Sequence, residues 1–294
     1  MSNSDWATQE FERFRPQLRD IAYRMLGSAA EADDAVQESW VRLHRSDSER
    51  VENLRGWLTI VVGRVCLDML RARHRRREEY VGTWLPEPVV VEDDVRDPEH
   101  EALVADSVGL ALLAVLEKLS PAERIAFVLH DMFAVPFDDI AEILDREPAA
   151  ARQLASRARR RLRGEAPIND ADLAAQRTVV DAFVGAVRSG DFEALVAILD
   201  PEVVFSIDVG MIAPGARPAV KGSQAVIREV RDRGPQFAHL GRPAIVNGAA
   251  GLVIETDRKV LGVVAFTIMH GLVTRIDIVA DPEKLRSVRS RSQS

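Results

Sequence analysis

The sequence predicts a multidomain protein in which two all-α domains precede an α+β domain. Three observations lead to this prediction. Apolar residues recur with helical spacing through residues 5–77, the same spacing returns over 106–163, and the chain after Gly164 moves to strand-like, β-branched segments. Helices followed by a mostly antiparallel sheet are typical of an α+β domain placed after helical ones. The 294 residues suffice for two or three domains.

The location of the charges is more informative than the formal net charge of −7. Arginines cluster in two stretches, whereas acids gather near residues 31–38, 87–101 and in the C-terminal half. An acidic protein with such asymmetry can still carry nucleic-acid-binding surfaces. Cys66 is the only cysteine, so we expect no disulfide and no cysteine-based metal site. We also expect no cofactor. Lacking a signal-like start or an apolar run of about 18 residues, the chain is expected to be cytoplasmic.

The first predicted domain, residues 5–78, reads as three helices. Gly27 ends the first, and Ser28 with Glu31 has the spacing of a capping box at the start of the second. The third begins near Asn53 and is apolar over most of its girth, which predicts the central helix of a bundle.

Two charged surfaces of this domain have competing interpretations. On the second helix an acidic face serves either a partner or simple solubility; its residues are Asp33, Asp34, Gln37 and Glu38. The third helix ends in six cations within residues 71–77. A basic helix end is favoured by the macrodipole, but six cations exceed that need and indicate phosphate binding.

Residues 79–105 are predicted to be an extended, acidic, proline-rich linker rather than a packed element. The linker contains the unusual sequence Trp-Leu-Pro-Glu-Pro at 84–88. Trp84 and Leu85 have no obvious place in a solvated segment, so a hydrophobic latch onto a neighbouring domain is the alternative.

The second helical domain, residues 106–164, contains a predicted helix-turn-helix. One short apolar stripe ends at Leu144, and Pro148 begins a second, arginine-rich helix. An exposed solvated helix is the alternative, but the lack of any acid over residues 149–163 favours phosphate binding. We expect Arg152, Gln153 and Ser156 to face base edges and the later arginines to face phosphates: Arg157, Arg159 and Arg160.

The quoted motifs together resemble one family. Residues 31–43, EADDAVQESWVRL, resemble the acidic helix with which bacterial sigma factors grip the polymerase clamp. The third helix, with RGWL at 55–58 and DMLR at 68–71, resembles the promoter-melting helix of the extracytoplasmic-function group. LSPAER at 119–124 and the helix-turn-helix resemble that group's fourth-region domain. The WLPEP linker resembles that of the SigJ-type subgroup, which carries a SnoaL-like C-terminal extension.

The resemblance implies a promoter specificity factor whose partners are core RNA polymerase and promoter DNA. It assigns polymerase binding to the acidic face of the second helix and DNA binding to both basic helices; on the third helix the residues are Arg64, Arg71, Arg73, Arg75 and Arg76. It also implies an α+β SnoaL-like cone over residues 171–286, followed by a tail at 287–294. A regulatory contact is expected from the linker and a terminal signature; the residues are Trp84, Leu85, Asp281, Pro282, Lys284 and Leu285.

The SnoaL-like extension leaves a second class of function open, a DNA-tethered enzyme or small-molecule-binding module that uses its pocket. The polar candidates in it are Asp208, His239, Glu255, His270 and Asp277. Arg275 and Asp277 share a strand face, yet a pair two residues apart is more often structural than catalytic. We therefore expect no enzymatic activity, no catalytic residue and no metal site, while an unknown small ligand remains a candidate partner.

Overall fold

The computed structural model describes residues 3–45, 53–77, 84–92, 109–163, 169, 172–210 and 219–288. The chain divides into two compact units. One comprises Met1–Tyr80 with Val115–Glu165, and the other comprises Val81–Ala114 with Ala166–Ser294. Within the described ranges, no helix combines the length and the apolar character that crossing a membrane requires.

The first unit begins with three helices, α1 (Asn3–Leu26), α2 (Ala29–Arg45) and α3 (Leu54–Arg77). Gly27 follows α1 at φ +68°, the left-handed conformation that lets the chain leave a helix at little cost. Ser28 Oγ then accepts a 3.2 Å hydrogen bond from the Glu31 amide, which caps α2. The core side chains of Ile21 and Leu58 are fully buried, and each contributes about 1.5–3 kcal/mol relative to exposure.

The remaining helices of the first unit follow residue 109. They are α4 (Leu110–Leu116, whose last two residues belong to this unit), α5 (Pro121–Phe127), a π-helical turn (Val128–Met132), α6 (Phe137–Leu144) and α7 (Pro148–Leu162). A complete capping box joins Ser120 and Glu123 at the start of α5. Asp145 ends α6 at φ +53°, and Pro148 occupies the first turn of α7. These features form the predicted helix-turn-helix, and α3 packs against α5 and α6 as well as α1 and α2.

The second unit is built on a seven-stranded mixed sheet. Its strands are β1 (Val90–Glu92), β2 (Leu199–Asp208), β3 (Val220–Lys221), β4 (Gly241–Val246), β5 (Ala249–Thr256), β6 (Lys259–Met269) and β7 (Leu272–Val279). They lie in the order β1-β4-β5-β6-β7-β2-β3, with all neighbours antiparallel except β2 and β7. The helices of this unit are α8 (Leu173–Ser189), α9 (Phe192–Ile198) and α10 (Ser223–Ala238). The predicted fold class, helical domains followed by an α+β domain, is confirmed.

Part of the segment expected to be an unpacked linker is instead an edge strand of this sheet. Val90 pairs with Val246 and Val91 with Ile245, in antiparallel register. Val89 and Asn247 also exchange hydrogen bonds of 3.1 and 2.8 Å. The reason lies in three successive β-branched residues, which fit a pleated sheet well and outweigh the acids that follow them.

The strands bury a different apolar set on each face, because successive side chains alternate. One cluster contains Leu252, Val264, Phe266 and Ile276 together with residues of α8, α9 and α10. A second cluster contains Val253, Val263 and Val279, packed with Leu85 of the linker and with Leu285. The linker therefore covers the sheet face opposite the helices α8–α10.

Candidate nucleic-acid surface, acidic face and linker contact

The acidic face of α2 lies on the surface of the first unit. Asp33, Asp34 and Gln37 are exposed, and the side chain of Glu38 is 45% exposed although the residue as a whole is half-buried. Asp33 receives a 2.7 Å ion pair from Arg19 Nε, and Glu38 receives one of 2.9 Å from Arg42 Nε. Both pairs are well exposed, so they hold the side chains weakly and leave the carboxylates available to a partner.

The predicted recognition helix α7 presents its polar residues to solvent. Arg152, Gln153, Ser156, Arg157, Arg159 and Arg160 are all exposed, while the alanines and leucines of the opposite helix face are buried. The Arg152 guanidinium lies 5.6 Å from the centre of the Phe137 ring, and Arg159 Nε is 2.7 Å from an Asp131 carboxylate oxygen. These contacts orient two arginines at opposite ends of the exposed face.

On α3 the predicted DNA-binding residues differ in their surroundings. Arg64 is exposed, and its guanidinium contacts both the main-chain carbonyl and the carboxylate of Glu142 on α6, at 3.0 and 3.1 Å. Arg71 is exposed, and its Nη1 atom lies 3.9 Å from Asp68 Oδ1, which makes a weak ion pair. The side chains of Arg75 and Arg76 lie outside the described residues.

Arg73 belongs to an internal charge network that the sequence did not indicate. Its side chain is only 15% exposed and pairs with Glu31 of α2 and with Glu117. Its guanidinium also donates 2.7 Å to the carbonyl oxygen of Leu26, and Glu117 pairs in turn with the buried Arg124. This network makes Arg73 a joint between helices, which competes with the phosphate-binding role proposed from the basic run. No sequence spacing signals the contacts of Arg73, because Leu26, Glu31 and Glu117 each lie about 40 residues or more from it along the chain.

The linker meets the C-terminal domain at a buried carboxylate. Asp208, at the end of β2, is 1% exposed, and its Oδ2 atom accepts hydrogen bonds of 2.7 Å from the Leu85 amide and 2.6 Å from Lys284 Nζ. Lys284 Nζ also donates 2.5 Å to the Leu85 carbonyl oxygen and lies 4.1 Å from the centre of the Trp84 ring. Sequence reasoning assigned Trp84, Leu85 and Lys284 to a common contact; Asp208 was considered only as a pocket residue.

The terminal signature sits beside this carboxylate. A Cβ atom on Gly210, whose φ is +65°, would lie 2.6 Å from the Asp281 carboxyl carbon, so only glycine fits there. Leu285 joins Leu85 in the apolar cluster of the sheet, whereas Pro282 is exposed at the start of the turn. The structure thus gathers four of the six residues assigned to the contact and places Asp281 beside them.

The large cavity of the second unit has a volume of about 380 Å³ and lies between the sheet and the helices α8 and α10. Of the described residues that line it, Glu229 and Arg233 alone carry charged side chains. The five polar candidates do not line it: Asp208 holds the linker, Glu255 pairs with Arg242 at 2.7 Å, and His239 and His270 are exposed.

Asp277, the fifth candidate, is buried away from this cavity. Its Oδ2 accepts 2.6 Å from Arg275 Nε, while no described residue donates a hydrogen bond to its buried Oδ1. Burial raises the pKa of this carboxyl, and the pairing with Arg275 and the polar Ser206 hydroxyl offset only part of that effect. The arrangement is a structural ion pair within β7, beside its neighbour β2.

Comparison with known proteins identifies the helical parts of the chain. The sigma-70 region 2 family matches residues 11–76, and the sigma-70 region 4 family matches residues 109–162. These ranges contain the acidic helix α2, the central helix α3 and the helix-turn-helix. The first unit is therefore that of a sigma-70-type transcription factor.

Full-length relatives narrow the class. The chain is 41% identical over 287 residues to the ECF RNA polymerase sigma factor SigJ of Mycobacterium tuberculosis, covering 94% of this chain and 92% of that protein. It is 33% identical to the probable ECF RNA polymerase sigma factor SigI of the same species, over 99% and 98% of the two chains. The crystal structure of SigJ superposes with a TM-score of 0.75 at 40% identity, covering 94% of this chain and 97% of that one.

The chain belongs to the extracytoplasmic-function sigma factors. It acts in transcription initiation with core RNA polymerase and promoter DNA, and it carries a fused α+β domain.

Proposed function

We propose that the C-terminal domain of this sigma factor regulates it by holding the linker between regions 2 and 4. The observation that carries the proposal is the buried Asp208 carboxylate, which binds the Leu85 amide and the Lys284 ammonium together. A linker fixed along the sheet cannot adopt another path until this contact opens. Differential affinity of a few kcal/mol for the two linker states is enough for regulation.

Two surfaces of the sigma domains carry the proposed partner contacts. The exposed carboxylates of Asp34 and Glu38 are proposed to bind core polymerase. The N-terminal exposed residues of α7 are proposed to read upstream bases, and its later arginines to hold phosphates. Binding to core polymerase and promoter DNA would require the chain to be in the cytoplasm.

The C-terminal domain is proposed to bind a small ligand rather than to catalyse a reaction. Its described cavity is lined mainly by apolar side chains. Of the polar groups first considered for catalysis, the three carboxylates serve ion pairs or the linker contact, and both histidines are exposed. A lining of that kind suits uptake of an apolar molecule better than proton transfer.

The regulatory proposal is tested by Lys284→Met in the full-length chain. Methionine keeps an apolar stem beside Trp84 but removes the cation, which leaves the buried Asp208 charge uncompensated at a cost of about 3–5 kcal/mol. Lys221→Met is the matched control, because Lys221 is 65% exposed and, among the residues that the structure describes, pairs only with the exposed Glu202.

Two measurements distinguish the opening of the linker contact from its effect on transcription. Hydrogen exchange over residues 84–92 should accelerate in Lys284→Met and stay at the wild-type rate in the control. Promoter-directed transcription with core polymerase should then rise in the same variant. A linker that exchanges faster while transcription stays at the wild-type level would show that the contact exists but does not regulate.

A further inference from the structure

The floor of the cavity in the second unit is a continuous apolar row that crosses four strands. Leu252 of β5 pairs with Val264 of β6, Val264 with Ile278 of β7, and Ile278 with Ile207 of β2. Because side chains alternate along each strand, these four lie on one sheet face, and Asp208 and Asp277 fall on the other. The register itself therefore keeps carboxylates out of the cavity floor.

Helices close the cavity without filling it. Phe183 and Val184 of α8 and Val230 of α10 line it, and Phe237 near the end of α10 also lines it while remaining 43% exposed. Protein cores are normally packed without voids much larger than a water molecule, so about 380 Å³ of apolar space is not ordinary packing. Its volume falls within the range of about 300–1,000 Å³ that small-molecule sites occupy.

The charged part of the lining is confined to one helix. Glu229 and Arg233 lie one turn apart on α10, where Glu229 is half-buried and Arg233 is exposed. Arg233 makes no ion pair with a described residue. An exposed guanidinium beside an apolar cavity can donate two parallel hydrogen bonds to a carboxylate. The apolar interior of the cavity has no group that would compensate the cost of burying a charge.

We propose that this cavity binds an apolar small molecule with a single carboxylate end, of the size of a medium-chain fatty acid or an aromatic acid. The hydrocarbon body packs on the row from Leu252 to Ile207, and the carboxylate lies at Arg233. The inference deepens the proposed ligand-binding role and rests on it, but it does not depend on regulation through the linker.

The test uses the full-length protein and two probes of equal chain length, decanoate and decanol, titrated by calorimetry below micelle-forming concentrations. Decanoate is expected to bind at one site and more tightly than decanol. Charge-assisted hydrogen bonds contribute about 1.5–3 kcal/mol, so the difference should be about tenfold or more. Arg233→Gln should abolish that preference without weakening decanol, while Arg231→Gln, a change on the same helix outside the cavity lining, should retain it.

Occupancy of the cavity is tested separately by filling it. Val184→Phe, at a half-buried lining position, should weaken both probes at least tenfold, whereas Val196→Phe, at a position 49% exposed and outside the lining, should not. Val220→Phe fills the same space from β3 and replaces Val184→Phe if circular dichroism shows that variant to be unfolded.

The outcomes are distinguishable. Binding of neither probe, or binding that a folded cavity-filling variant leaves unchanged, overturns the site. Equal affinity for decanol and decanoate overturns the carboxylate class while the ligand-binding role survives. Neither result bears on the Lys284 measurements, which use no ligand.

Discussion

Gly63 of α3 and Ile143 of α6 approach so closely that a Cβ atom on Gly63 would lie 2.8 Å from the Ile143 Cδ1 atom. Beside them Arg64 holds the carbonyl and carboxylate of Glu142. The helix of region 2 expected to meet the melted strand is thus packed, through its one small residue at this point, against the first helix of the helix-turn-helix. In this arrangement Glu142 forms an ion pair with Arg64, a residue proposed to bind DNA.

Gly63→Val is predicted to loosen this helix contact. An added isopropyl group at a position with so little space should cost about 1–3 kcal/mol of packing. Hydrogen exchange of the α6 amides should accelerate. Gly185→Val is the matched control, since Gly185 is also helical but meets nothing within 4 Å. Equal exchange rates in α6 for both variants would show that the close approach contributes nothing to holding the helices together.

Reversal of the acidic face is predicted to weaken the complex with core polymerase. The double change of Asp34 and Glu38 to lysine removes two exposed carboxylates and turns the Glu38–Arg42 pair into a repulsion worth a few tenths of a kcal/mol, so the fold should persist. The control double change, Asp181 and Glu193 to lysine, alters net charge equally at exposed positions of the other unit. Affinity for core polymerase should fall only in the first variant; an unchanged affinity removes α2 as the contact.

The two ends of α7 are predicted to contribute differently to DNA binding. Arg152→Ala should cost about 1–3 kcal/mol and relax preference at one promoter position. Arg160→Ala should weaken all sequences alike and lower the salt slope by about one. Binding of the polymerase complex to a set of promoter variants at several salt concentrations measures both. Should the two variants show the same profile, the proposed division between base and phosphate contacts is wrong.

The sequence predicts those features of this protein that are local and periodic. The cap of Ser28 at the start of α2, the stop at Gly27 and the turn before Pro148 each depend on a few adjacent residues, and all three are present. Features that depend on distant partners were not predictable. The joint at Arg73 and the close approach of Gly63 combine residues from separate helices, and neither leaves a signature in spacing.

The linker contact was predictable only in part. Its apolar Trp84 and Leu85 indicated a latch because they are exceptions to their solvated surroundings, whereas Lys284 was assigned from the family resemblance of the terminal signature. Asp208 was not recognised as the acceptor of both, since a carboxylate at the end of a strand looks the same whether it faces a pocket or a partner. Its side on the sheet follows only from the strand register, which the sequence alone leaves undetermined.

The buried Asp277 carboxyl is predicted to make the C-terminal domain less stable as the pH rises. Burial raises its pKa above the ordinary 3.8, despite the nearby Arg275. Between 3.8 and the raised value the folded state therefore binds more protons than the unfolded state, so the free energy of unfolding falls with increasing pH. Asp277→Asn removes that titration. Its melting temperature relative to wild type should rise as the pH is increased from about 4 through this window and then level off. Asp181→Asn, at an exposed position, provides the comparison. If the difference in melting temperature between Asp277→Asn and wild type stays constant across the same pH range, Arg275 rather than burial determines the pKa of the Asp277 carboxyl.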